Sequence, residues 1–153
     1  MGKVMQQRLQ QPRFRTPTHE AVLAVLLASA HLREQVEAVA AETGISGQQY
    51  NVLRILRGAQ PAGLPRCDIG KRTIERAPDL TRIVDRLAKE GLVERARSED
   101  DGRLSVARIT RKGLAVLDRV DPRVEALHRA VTHRIGERDA RALTRICERL
   151  IES

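Results

Sequence analysis

Thr81, Arg82, Arg86 and Lys89 lie within nine residues, interleaved with Leu80, Ile83, Val84 and Leu87 at i, i+3, i+4 and i+7. On a helix that repeat gathers the four apolar residues into one stripe and leaves the hydroxyl and the cations on the opposite side. Hydroxyls and cations on an exposed helix can grip phosphates and reach base edges, but they make and break no bonds. Other chemistry finds little support. His19, His31, His128 and His133 have no metal-ligand spacing, and His128 and His133, five apart, would diverge on a helix. Glu99, Asp100 and Asp101 lack the glycine and terminal glutamate of a calcium loop. Cys67 has Arg66 and Lys71 nearby to lower a thiol pKa, yet a half-buried structural cysteine is the commoner outcome. Ser29, Ser46, Ser98 and Ser105 sit in no G-x-S-x-G setting. With no nucleophile beside a base and no paired carboxylates in a cleft, the chain is expected to be no enzyme and to hold no metal or cofactor.

The elements that must position those residues can be read outward from them. Pro78 suits the first position of the helix and Asp79 its positive dipole end, and Gly91 closes it. Leu92 to Arg97 and Arg103 to Thr110, joined by an acidic turn with Asp101-Gly102 at its tip, predict a β-hairpin, although the alternation in the second arm is imperfect. Upstream, Ser46 with Gln49 is a capping box opening a helix that ends before Gly58, and residues 67 to 74 form a short helix with Ile69 and Ile74 inward. Residues 1 to 17, rich in glutamine with basic residues between, read as a mobile arm before a long amphipathic helix from about 18 to 42. Thr110 caps a fifth helix that Pro122 is expected to kink, and Gly136 separates a last helix, 137 to 151.

Composition agrees with a helical architecture. Among 153 residues only Phe14 and Tyr50 are aromatic, so the core is built of Leu, Val, Ile and Ala, which disfavours all-β folds and base-stacking single-strand binders. The net charge of +8 favours a polyanionic partner. It is concentrated: residues 65 to 112 carry thirteen basic and nine acidic side chains and residues 1 to 20 four and one, whereas 21 to 64 are neutral. Two cysteines without C-x-x-C spacing make a reducing cytoplasm the natural compartment. The apolar run from Val22 to Ala30 continues at helical spacing through Val36 and Val39, so it reads as the front of an amphipathic helix rather than a signal sequence, and no membrane span is expected.

Three short helices followed by a hairpin, the third helix basic on its exposed side, is the layout of a winged helix-turn-helix. A helix about 10 to 12 Å across fits the roughly 12 Å major groove of duplex DNA. The run T-R-x-x-D-R-L-x-x-x-G-L-V (Thr81, Arg82, Asp85, Arg86, Leu87, Gly91, Leu92, Val93), the wing's Asp101 and Arg103, and Ile109, Thr110, Gly113 and Leu117 at the next helix together resemble the MarR family of bacterial transcription regulators. The resemblance spans essentially residues 18 to 151. It implies a recognition helix in the major groove, a wing arginine in the minor groove, a wing aspartate bracing the hairpin, and terminal helices that intertwine in a homodimer. Two departures stand out. Gly102 occupies a position where the family most often has Arg, and Glu75-Arg76-Ala77-Pro78-Asp79 replaces the commoner Gly-Val-Ser-Pro-Ser turn, so base preference can differ.

The expectation is therefore a mainly α chain with a small β-hairpin wing. A mobile basic arm (1–17) precedes a dimerisation helix (18–45), a winged helix-turn-helix DNA-binding domain (46–110) and C-terminal dimerisation helices (111–153). Apolar residues on the flanking helices, such as Leu26, Leu127, Leu143 and Leu150, exceed what the core between them needs and independently favour a dimer. Such a dimer would read a pseudo-palindrome. The residues expected at double-stranded DNA are Arg76, Asp79, Thr81, Arg82, Arg86, Arg97, Asp101 and Arg103. The resemblance further implies a repressor more often than an activator, and release by a small aromatic or anionic effector. His31, Tyr50 and Arg54 are the candidate ligand contacts, against a plainer role for Tyr50 as a core anchor and Arg54 as a surface cation. The competing reading is a winged-helix protein-interaction module, and Arg82, Arg86 and Arg103 on one face argue against it, since a protein-binding face would carry apolar anchors.

Overall fold

Ser46 Oγ accepts the backbone N–H of Gln49 at 3.1 Å while Gln49 Oε1 accepts the N–H of Ser46 at 2.8 Å. This reciprocal capping box satisfies two donors that a helix start leaves without partners. The computed structural model describes residues 3–74, 79–97 and 105–152. In chain order the elements are α1 (Lys3–Leu9), α2 (Pro17–Ala41), α3 (Gly47–Arg57), α4 (Arg66–Arg72), α5 (Leu80–Lys89), β1 (Val93–Arg97), β2 (Ser105–Ile109) and α6 (Arg111–Ile151). They fall into two compact units, Met1–Val36 and Glu37–Ser153.

The second unit holds the core. Val52, Leu53 and Leu56 of α3, Ile69 of α4, Leu87 of α5, and Leu117 and Val120 of α6 are each less than 2% exposed. Side chains of that size buried to that degree contribute about 1.5 to 3 kcal/mol each. β1 and β2 pair antiparallel in the register Val93↔Ile109 to Arg97↔Ser105. The imperfect alternation of the second strand now has a cause. Leu64 pairs with Ala107 on the outer edge of β2, with N···O distances of 3.0 and 2.8 Å, and Val106 and Ala107 are both buried. Gly63 makes that pairing possible: its φ is +75°, and a Cβ there would lie 2.5 Å from the Ala107 carbonyl oxygen.

Thr110 caps α6 by accepting the Gly113 N–H at 3.1 Å. Gly113 lets the first turn of α6 lie against the entry to the wing, because a Cβ there would stand 2.3 Å from the Leu92 carbonyl oxygen.

Several expectations need correction. Within the segment read as an arm, residues 3 to 9 form the short helix α1, whose Lys, Met, Gln, Arg and Leu are good helix formers. α5 starts at Leu80 with Asp79 at its cap, and Pro78 lies outside the described residues. Ile74 is 83% exposed rather than inward, because α4 ends at Arg72 and Thr73 is extended (φ −72°, ψ 140°), which takes Ile74 off the face shared with Ile69. Within α6, which contains Pro122, the one residue with non-helical dihedrals is Gly136 at φ 72°, ψ 162°.

Candidate nucleic-acid interface

α5 presents the expected two faces. Val84 and Leu87 are buried and Leu80 and Ile83 half-buried, while Thr81, Arg82, Arg86 and Lys89 are exposed. The apolar stripe locks the helix onto the core, so the polar face is held by packing rather than by its own short length. Both ends are also tied to neighbouring elements. At the start, Arg66 Nη1 on α4 donates to Thr81 Oγ1 at 2.9 Å. At the finish, Lys112 Nζ on α6 donates to the Glu90 carbonyl at 2.7 Å and the Thr110 hydroxyl to that of Gly91 at 2.7 Å. These bonds satisfy carbonyls that the end of a helix leaves open.

The cations of this face are partly balanced. Arg82 Nη1 donates to Asp79 Oδ2 at 2.9 Å and Arg86 Nε to Glu90 Oε1 at 3.2 Å. Arg95 on β1 pairs with Asp85 on α5, fastening the wing to the helix beside it. Exposed pairs of this kind are worth roughly 0 to 1 kcal/mol, so phosphate oxygens can replace their carboxylates at small cost. Asp79 thus serves Arg82 and makes no side-chain cap bond.

Among the expected DNA contacts, Thr81, Arg82 and Arg86 stand together on α5 with Asp79 at its cap, and Arg97 is exposed at the end of β1. Arg76, Asp101 and Arg103 lie outside the described residues. Sequence reasoning missed Arg66 and Arg95. The partner of Arg66 is fifteen residues away, a separation that no local pattern reveals. Asp85 lies inside the quoted motif run and Arg95 two residues beyond it, and strand alternation alone would put Arg95 on the face of buried Val93, so no local pattern signalled the pair.

The candidate ligand residues fall in both units. His31 belongs to the first unit, where its Nε2 lies 2.9 Å from Gln35 Nε2. Tyr50 is 4% exposed, and its hydroxyl donates to Asp121 Oδ1 of α6 at 2.9 Å. Burial, and then the hydrogen bond and charge of Asp121, push the Tyr50 pKa up to about 12. Asp121 also pairs with Arg57. Arg54 lies at the surface with its guanidinium 5.7 Å from the centre of the Tyr50 ring.

No group of three or more His, Cys, Asp or Glu among the described residues is arranged to hold a metal ion, and none of their helices is long and apolar enough to cross a membrane. Residues 43–104 match the MarR family. A MarR transcription factor from Planctomyces limnophilus, known by crystal structure, is 32% identical with a TM-score of 0.65, over 89% of this chain and 98% of that one. The crystal structure of Sco3205, a MarR family transcriptional regulator from Streptomyces coelicolor in complex with DNA, is 27% identical with a TM-score of 0.76, over 92% and 90%. The homoprotocatechuate degradative operon repressor of Escherichia coli is 27% identical over 107 residues, 70% of this chain and 71% of that protein.

Proposed function

The chain belongs to the MarR family of transcription regulators, not to a family of enzymes, and we infer that it is a repressor that binds an operator in duplex DNA as a homodimer. The observation that carries this is the polar face of α5: Thr81, Arg82, Arg86 and Lys89 exposed on a helix whose opposite stripe is buried. Ten residues at about 1.5 Å each give a rod roughly 15 Å long, and its diameter of about 10 to 12 Å fits the major groove. The hydroxyl and first arginine lie in its opening turn, where base edges are reached, and Arg86 a turn later suits a phosphate. Arg76, Arg97 and Arg103 extend the contact in this reading, Arg103 in the minor groove and Asp101 bracing the wing. The similar Sco3205 structure, a complex with DNA, and the E. coli protein, an operon repressor, support the assignment.

Homodimerisation is supported by apolar side chains left in water. On the last segment of α6, Leu143, Ile146 and Leu150 are 49%, 46% and 60% exposed and fall at i, i+3 and i+7. A two-fold dimer would set two recognition helices about 34 to 36 Å apart, one turn of DNA. The compartment of such a regulator is the cytoplasm.

Effector control is the finer part of the proposal. Arg54, at the surface over the Tyr50 ring, is the group suited to a carboxylate of a small aromatic acid. A ligand shifts DNA binding only by its difference in affinity for the free and bound geometries. Titrating the purified protein with the DNA upstream of its own coding sequence, against random duplex of equal length, tests the function. Equal affinity for both would leave only a nonspecific binder.

A further inference from the structure

We propose that Arg66, at the start of α4, is a specificity-determining residue: it orients the Thr81 hydroxyl so that the pair selects a hydrogen-bond acceptor on the base that Thr81 faces. The proposal rests on duplex-DNA binding by α5. A threonine hydroxyl has one donor hydrogen and two acceptor lone pairs, and unguided it rotates to suit either a donor or an acceptor. Here Arg66 Nη1 donates to Thr81 Oγ1 at 2.9 Å. With one lone pair of that oxygen occupied, acceptance from a base is restricted to the single lone pair that remains, while the hydroxyl hydrogen, turned away from the guanidinium, stays free to donate. In the major groove, guanine offers O6 and N7, adenine N7 and thymine O4 as acceptors, whereas cytosine offers an N4 donor. The oriented pair therefore discriminates against cytosine at one position.

Arg66 differs from its neighbours in charge balance. Arg82, Arg86 and Arg95 are each held by a carboxylate, whereas Arg66 has no ion pair among the described residues and is exposed. A guanidinium carries five donors in a planar fork, so bonding Thr81 leaves others to meet a phosphate at the same time. That second contact fixes the position of α4 against the backbone and holds the side chain that orients Thr81. A lysine keeps the charge but lacks the fork, so it cannot hold both partners in one plane.

The test selects binding sites from a pool of random-sequence duplex DNA with the full-length protein and its R66A, R66K, T81V and R66A/T81V variants, followed by salt titrations on the selected site. The wild type is expected to enrich a site with one position that excludes cytosine. Discrimination there falls roughly tenfold in T81V, falls comparably in R66A and R66K, and falls no further in the double variant. The salt slope drops by about one counterion in R66A and is retained in R66K. If R66A keeps the wild-type preference at the position that T81V relaxes, Arg66 is a phosphate contact alone and the proposal is overturned. If the wild type enriches no site at all, specific DNA binding fails first and the proposal falls with it.

Discussion

The Tyr50 hydroxyl donates to Asp121 Oδ1 at 2.9 Å across 71 residues of sequence, tying α3 of the winged domain to α6. The same carboxylate holds Arg57, so one residue of α6 fastens α3 at two points two turns apart. The helix proposed to carry the dimer contacts and the one that packs behind α5 are thereby joined through a single side chain.

Tyr50→Phe should cost about 1 kcal/mol in urea unfolding at pH 7, the worth of one hydrogen bond between part-buried groups. The sign of its pH dependence follows from a pKa raised in the folded state, from an ordinary value of about 10 to about 12. Folding favours the neutral phenol. Its contribution is complete below pH 10 and is lost as pH rises through about 12. The phenylalanine variant should lack that loss, and an identical alkaline slope in both proteins would show that Tyr50 does not supply it.

Arg86→Ala should weaken binding to all duplexes alike and reduce the salt slope by about one counterion, whereas Thr81→Ala should relax sequence preference. Arg103→Ala should cost about 1 to 3 kcal/mol of operator affinity with the dimer intact. Gel-shift titrations at several salt concentrations separate these behaviours. Equal loss of specificity from Arg86→Ala and Thr81→Ala would overturn the division between phosphate and base contacts.

What the sequence made legible here was mostly local. The Ser46–Gln49 capping box, the Thr110 cap and the break at Gly136 all depend on residues within a turn of one another. The stripe Leu80, Ile83, Val84, Leu87 likewise announces its helix and the face that Arg82 and Arg86 occupy. Contacts made by folding were not legible: Arg66 with Thr81, Asp121 with Tyr50, and Leu64 beside β2 are pairings that only the tertiary arrangement creates. Ile74 shows the opposite failure. Helical periodicity was extended one turn too far, past the point where the backbone becomes extended.

Replacing both Leu143 and Leu150 with Asp should convert dimer to monomer in sedimentation velocity. Each is about half-exposed in the single chain, so the fold of the winged unit should survive with unchanged far-ultraviolet dichroism. Persistence of the dimer would move the interface elsewhere.

Salicylate and related aromatic carboxylates at millimolar concentration should release operator DNA, and Arg54→Ala should weaken that release while leaving binding without effector unchanged. Exposure of Arg54 over a buried ring makes the second half a clean test, because the substitution removes a surface cation and leaves Tyr50 in the core. An operator titration indifferent to a panel of aromatic acids would remove the effector from the account.

The central claim is that α5 reads sequence in duplex DNA. Its most direct measurement is the affinity of the full chain for its own upstream DNA relative to random duplex, at two or more salt concentrations. Sequence reading by α5 requires a preference on the order of a thousandfold or more that persists as salt rises, while nonspecific affinity falls steeply. Affinities for the two duplexes that stay equal at every salt concentration would contradict it.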